Sequence, residues 1–522
     1  MDTIDLYFEG YELWKSQDPG QSFEKFLTWA PTLMRDFDLI DSALLPDPHQ
    51  LFRYMSEGEA IKRWDLSGHE FSAVASEYFT FFDKMAMVYE RLNRVLPEKG
   101  LSYTGLAYRK AAQNIPPTGY YYFVGLNALS RAEEKIITTL IKAKRAECIW
   151  DSDDFYMDST DDKAGKRLKE YKESGRYGST WNFQGNLLRE AARDVHVYRV
   201  SSKSLQARLA TDLAARSTAQ GHALVVLDEN DFPALFIQVP ALDFNVNISG
   251  GAALRGSMLM PLLDIFLRLM ETEGESLRID LVRALTGNAL LKSVLSHEAG
   301  GQKVAQLEKK LARIAHLYVA RKDLIVPGSE LFDAILGIRD PLSFLRGTQK
   351  FLGMLAGSES EESPFAVVLL QKLETLRSRV SDELSAASFR ILFRELIKNL
   401  SLPFEKQPDA RLQVMSMLET RCLDFEEVTF LSFLEGNLPS GKRNNSFIPF
   451  DALKYFGLPS YSDQDAIMAY HFFRLLQRAR KVNVLYTVDT GTGVGRKERS
   501  RFLYQLEEEL GPENQRMRFF LS

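Results

Sequence analysis

Arg474 and Arg478 stand four apart in the stretch Gln464–Arg480, a spacing that puts two guanidinium groups on one side of a helix. Such a pair forms a fork for phosphate or carboxylate oxygens, and it equally suits a surface salt-bridge face turned away from the apolar stripe Ala469, Phe472, Phe473, Leu476 and Ala479. Gly491-Thr492-Gly493-Val494-Gly495-Arg496-Lys497 follows an apolar run and carries the glycine and lysine of a phosphate-cradling loop. A P-loop, however, needs four residues between its glycines and then Lys-Ser/Thr. Arg496 stands where the second glycine belongs and Glu498 follows the lysine, so the segment reads as a flexible basic loop. No other stretch of the chain has that pattern.

Two acidic possibilities are weaker still. Phe123-Val124-Gly125-Leu126 ends an apolar run where a nucleotide hydrolase would present an acid pair for Mg²⁺ and water, and Val124 and Gly125 carry no carboxylate. Asp151, Asp153 and Asp154 cluster just past another apolar run, but without EF-hand spacing, and they read as caps of the next element.

The 522 residues hold 65 Lys+Arg against 70 Asp+Glu, a net charge of −5, and 45% are hydrophobic. That composition excludes a disordered or low-complexity chain and fits roughly three or four globular domains. It gives no global field for nucleic acid, although a local basic patch is compatible with it. The average conceals one: Ala469 to Arg501 holds eight Lys/Arg and two Asp/Glu. Cys148 and Cys422 form no CxxC, which argues against a disulfide framework or zinc site and fits a reducing cytoplasm. MDTIDLYFEGYELW lacks a signal-peptide pattern, and the richest apolar window, Leu254–Met270, is broken by Arg255, Asp264 and Arg268. A soluble protein without a membrane partner is expected.

The elements that must position these residues follow from periodicity and punctuation. Residues 1–115 are rich in aromatic residues with apolar positions every three to four, which predicts helices. After the breaker Asn114-Ile115-Pro116-Pro117-Thr118-Gly119 a strand is expected at 120–124, then a capping box Ser130/Glu133 opening a helix over 131–143, then a strand at 147–150. That is the βαβ pattern of a parallel sheet, whose ligands sit at the carboxyl ends of the strands. Further strands are expected at 196–200, 223–227 and 234–239, with a helix over 204–219. Residues 254–400 read as helical again, including a seam of Val304, Leu307, Leu311, Ile314 and Tyr318. Beyond Pro403 and Pro408, a helix over 413–421, a strand at 428–433, a helix over 464–480 and a strand at 482–487 restore the α/β texture.

Taken in order, several of these pieces resemble the superfamily 1 helicase core of AddB-like helicase-nuclease subunits, which carry a PD-(D/E)XK nuclease. LETRCLDFEEV and FLEGNLP are similar to the family's "KGLEF..V" and "EG.LP" motifs, Gln477-Arg478-Ala479 to its "TRA", and SRFLYQLEEEL and YYFVGLNALSRAEE to neighbouring segments. The likeness is strong over 410–510, moderate over 116–160 and weak in the helical parts. Walker A, the nuclease set and the four cluster-binding cysteines of some relatives have no counterpart, so the resemblance implies an incomplete RecA-like core with two large α-helical insertions, the middle of a larger protein.

The implied domains are a helical 1B-like insertion at 1–115, the remainder of a first RecA-like domain at 116–194, the start of a second at 195–253, a helical 2B-like insertion at 254–405 and the rest of the second domain at 406–522. By the same resemblance Arg478, Glu435 and Gly436 would face nucleotide, and Arg421, Arg474, Arg496 and Lys497 would face DNA, single-stranded or at a duplex end. The implied function is that of a catalytically silent, DNA-binding segment in double-strand-break repair, docking a helicase-nuclease partner subunit. It has no metal or cofactor of its own, with ATP and Mg²⁺ possible in the full-length protein. Two other expectations stay open: an active ATP-dependent helicase whose Walker A lies elsewhere, and a protein-interaction scaffold.

Overall fold

A computed structural model describes residues 3–56, 73–159, 163–178, 184–249, 251–298, 301–381, 384–398, 400–403, 407, 409–441, 445–488 and 498–522. Met1–Pro31 with Gly251–Phe404 form one compact unit, and Thr32–Gly250 with Glu405–Ser522 form a second. The helical stretch 1–115 is therefore divided between the two units, because the helices Thr3–Lys15 and Phe23–Leu27 pack on Ala386–Lys398. Among the described residues no helix is long and apolar enough to cross a membrane.

The first unit is helical. Leu259–Glu271 buries Leu262, Leu263, Phe266 and Leu269 against Pro341–Ala356 and Ala386–Lys398, where Phe266 meets Phe351 edge-on and Phe344 meets Phe389 and Phe393. The expected seam beyond Val304 is cut short. The helix Gly301–Leu311 ends, and Tyr318–Ala320 instead pairs antiparallel with Ser276–Arg278.

The second unit is α/β. Tyr121–Val124 (β1), Arg131–Lys142 (α1) and Ala146–Ile149 (β2) make one βαβ step, with β1 and β2 parallel and the Ser130/Glu133 capping box in place. Seven further strands form one sheet: Arg193–Val200 (β3), His222–Val226 (β4), Val246–Ile248 (β5), Leu412–Ser416 (β6), Glu427–Leu431 (β7), Lys481–Thr487 (β8) and Met517–Leu521 (β9). Their order is β9-β3-β8-β7-β4-β6-β5, and every neighbouring pair is parallel. Lys203–Arg216 (α2) covers one face through Ala207, Ala210 and Ala214, whose small side chains sit against Leu224, Val226, Leu431 and Leu485. Tyr461–Leu476 (α3) covers the other through Phe472, Phe473 and Leu476, against Val428, Phe430, Val482 and Val484. Two covered faces explain why the central strands read as continuous apolar runs.

That burial also explains two corrections. The segment expected as a helix over 413–421 is the strand β6 followed by a short 3-10 turn at Met417–Thr420, because Leu412, Val414 and Met415 are buried between strands. The strand expected at 234–239 is the helix Phe232–Gln238, started by Pro233 in its first turn.

Arg193 ties α3 to this sheet. It is 1% exposed, and its guanidinium donates to the carbonyls of Leu476 (2.6 Å), Ala479 (3.0 Å) and Gln477 (3.3 Å), acceptors at and just beyond the end of α3. Burial pulls its pKa down to about 10, so it stays charged at neutral pH. Arg193→Met should remove the donors and leave the carbonyls buried, costing about 2–3 kcal/mol; urea unfolding measures it, and a change below half a kcal/mol, roughly the size of a surface substitution, would contradict this role.

Candidate functional site

Because α3 runs antiparallel to the strands it connects, its last turn lies at the amino edge of the seven-stranded sheet, where Arg480 N–H donates to the Glu426 carbonyl. The carboxyl end of β2 meets it there. Asp151, two residues past β2, accepts from Arg474 Nε at 2.9 Å and pairs with Arg478 Nη1 at 3.2 Å. Asp424, ahead of β7, pairs with Arg474 Nη2 at 2.9 Å and Arg478 Nη1 at 3.5 Å. Arg474 also donates to the Leu423 carbonyl, and the Tyr470 hydroxyl donates to the Asp151 carbonyl at 3.0 Å. Two arginines thus hold two carboxylates in a closed four-membered network.

Its members differ in burial. The Arg474 side chain is 6% exposed and Asp151 19%, whereas Asp424 is 48% exposed. Burial opposes the charge of Arg478, but Asp151 and Asp424 outweigh it and its pKa rises. The expected fork is therefore real as a pair, but Arg478 lies in the turn beyond α3 rather than on it, and the pair faces protein carboxylates. His471, one turn before Arg474 and buried, has its pKa lowered to about 4 by burial and by the cations Arg421 and Arg474.

The rest of this junction is tight. Gly125, just past β1, has φ +64, and a Cβ there would collide with Cys422 Sγ. A side chain at position 125 therefore requires Cys422 to move. Arg421 is exposed, with its Nε on the Leu418 carbonyl at 3.0 Å and no ion pair among the described residues.

The other expected residues lie elsewhere. Glu435 and Gly436 follow the carboxyl end of β7, so the five residues of that strand stand between them and Arg478. At ~3.3 Å per residue that separation exceeds any shared contact with one phosphate, and the expected trio of Arg478, Glu435 and Gly436 is not brought together. Glu435 is instead gripped by Arg501, whose Nε donates to Oε1 at 2.9 Å and whose backbone N–H donates to Oε2 at 3.1 Å. Gly436 takes φ +88, a turn that favours glycine, and its carbonyl accepts from Gly441 N–H at 2.7 Å. Arg496 and Lys497 lie outside the described residues.

Asp153 caps the helix Asp154–Asp158 by accepting from Phe155 N–H at 3.1 Å, as an Asp-rich turn should. Among the described residues no group of three His, Cys, Asp or Glu side chains is arranged to hold a metal ion.

Sequence reasoning missed a second charged cluster, at the carboxyl edge. Lys203, at the start of α2, bridges Asp228 at 2.5 Å and Asp231 at 3.0 Å, and Gln206 exchanges hydrogen bonds with Ser432. Its one visible signal was a lysine opening a helix straight after a strand, with acids past the next strand. Asp151 and Asp424 were missed as partners because only folding brings positions 151, 424 and 474 together.

No family model matches the chain, and no curated protein matches it.

The unequal burial of the two acids sets a ranking. Asp151→Ala should cost about 3 kcal/mol, since it takes from the buried Arg474 guanidinium the more buried of its two carboxylate partners, whereas Asp424→Ala should cost under about 1 kcal/mol because half-exposed pairs are screened. Equal losses on urea unfolding would refute the ranking. His471 stays neutral in the fold, so its contribution is intact above pH 6.5 and falls by about 1.4 kcal/mol per pH unit down to about 4. His471→Gln should flatten the stability profile in that window and leave it unchanged above it.

Proposed function

We propose that this chain is a RecA-like, superfamily 1 helicase-like segment of AddB type in which an internal ion-pair network stands where nucleotide phosphates would bind, and that its role is to hold DNA and not to hydrolyse ATP. The observation that carries the reading is the pairing of Arg474 and Arg478 with Asp151. In open parallel α/β folds ligands sit beyond the carboxyl ends of strands, and an arginine supplied from a neighbouring body completes a phosphoryl-transfer site. Both arginines project from the large sheet to the carboxyl end of β2, which fits that arrangement.

What they meet there is a carboxylate. An incoming triphosphate would have to displace Asp151 and Asp424 from the arginines, leaving both acids unpaired beside its own negative charge. The strand end supplies neither acid of a Mg²⁺ and water pair, and a side chain at Gly125 would meet Cys422 Sγ. Support for DNA comes from Arg421, exposed and without an ion-pair partner among the described residues, and from the excess of Lys and Arg over Asp and Glu in the sequence from Ala469 to Arg501, although Arg474, Arg478, Lys481, Arg499 and Arg501 of that stretch already hold carboxylates.

Isothermal titration with MgATP should show no binding at millimolar nucleotide, and fluorescence anisotropy with labelled single-stranded DNA at low salt should show binding at micromolar protein, weakening steeply as salt rises. Nucleotide binding would remove the silent part of the proposal; an absence of DNA binding would remove the DNA-holding part and leave the interaction-scaffold alternative.

A further inference from the structure

β1 is the edge of a two-stranded parallel sheet, an arrangement that ordinarily has both faces covered. Yet Tyr120 is 55% exposed, Tyr122 64% and Val124 57%, all on one face, while Tyr121 and Phe123 turn to the other. The rings of Tyr120 and Tyr122 lie 5.2 Å apart between centroids, and neither hydroxyl has a hydrogen-bond partner among the described residues. Folding gains little from two large rings left in water.

The chain around them is held rigidly. Gly119 takes φ +96, and the Arg145 guanidinium donates to the carbonyls of Pro116 (2.8 Å), Thr118 and Gly119 (3.1 Å), which fixes the entry to the strand. Tyr121 N–H donates to the Arg145 carbonyl at 2.9 Å, which sets the backbone of Arg145 alongside Tyr120 and Tyr121 and puts Lys144 next to it in the chain. Lys142 and Lys144 are exposed, and neither they nor Arg145 has a carboxylate partner among the described residues. Glu147, in register with Tyr122, is the one acid between Lys142 and Glu147, a stretch that holds three cations.

Exposed, preoriented rings near lysines that hold no carboxylate match the chemistry of a nucleic-acid single strand, whose bases stack on aromatic faces while its phosphates meet cations. We infer that the Tyr120–Tyr122 face, with Lys142, Lys144 and Arg145, is a stacking platform for single-stranded DNA; the inference rests on the DNA-holding role proposed above and gives it a surface separate from the Arg474–Asp151 junction. A strand of another polypeptide, pairing through the outward backbone groups of Tyr122 and Val124, is the competing occupant, and it would have no use for the cations.

The full chain is titrated into labelled oligo(dT) at low salt and compared with Tyr120→Ser/Tyr122→Ser and with Lys142→Ala/Lys144→Ala. The tyrosine variant should bind ~10-fold or more weakly, as removal of base stacking predicts, with an unchanged melting temperature because both rings are exposed. The lysine variant should also weaken binding, and the slope of log affinity against log salt should become shallower by about 0.7 for each phosphate no longer neutralised. Photocross-linking of bromodeoxyuridine-containing strands should map to Tyr120 or Tyr122. If wild type binds and the tyrosine variant binds equally well, the platform is overturned while the DNA-holding role stands; if wild type does not bind, both fall. Concentration-dependent protection of the Tyr122 and Val124 amides from exchange, without DNA, would place a second copy on the strand edge and also overturn the platform.

Discussion

The carboxylate of Asp151 decides how the α/β part of this protein is held together and what its arginines are free to do. It sits at the end of a four-residue strand belonging to a sheet of only two strands, which by itself would be marginal. By accepting from Arg474 and Arg478 it fastens that small sheet to the last turn of α3, and α3 is packed across the seven-stranded sheet by Phe472, Phe473 and Leu476. Taking the charges of Arg474 and Asp151 largely out of water is costly unless each is matched, so these two are bound to each other and the more exposed Arg478 joins them from the rim.

Around that constraint the molecule arranges its polar groups by edge. The amino edge of the large sheet carries the arginine–carboxylate network and the neutral His471. The carboxyl edge carries Lys203 with Asp228 and Asp231, and Glu435 with Arg501. Each cluster is closed on itself by ion pairs, which suits a scaffold more than a site waiting for substrate. Arg421 and the lysines near Tyr120–Tyr122 are among the cations that lack carboxylates among the described residues. A protein organised in this way spends the charged groups at both edges of its parallel sheet on holding the sheet together.

The pattern of apolar runs was enough to find most of the parallel sheet, because strands buried on both faces must be apolar throughout: Ala223–Val226, Val428–Leu431 and Val482–Thr487 all read as strands and are strands. It failed at Leu412–Ser416, whose Leu-Gln-Val-Met-Ser composition suits a helix as well as a strand. Burial between β4 and β5, more than 150 residues away in the chain, settles that choice. Phe232–Gln238 failed the other way, since a short apolar segment has no period to distinguish helix from strand and Pro233 at its start was the only local cue.

The candidate site divides along the same line. Residue type and spacing alone determined that Arg474 and Arg478 form a pair, that Ser130 and Glu133 cap a helix, and that the strand end at Val124–Gly125 carries no acid pair, because each of these depends on neighbours within a few positions. Tertiary structure alone decided that the pair meets Asp151 and Asp424 in place of a ligand, that Glu435 and Gly436 lie at the opposite edge of the sheet, and that Tyr120 and Tyr122 are left facing water. The physical reason is that charge pairing and exposure act through space. Their partners sit tens to hundreds of residues apart along the chain, so they come into being only when a strand end, a turn and a helix terminus converge.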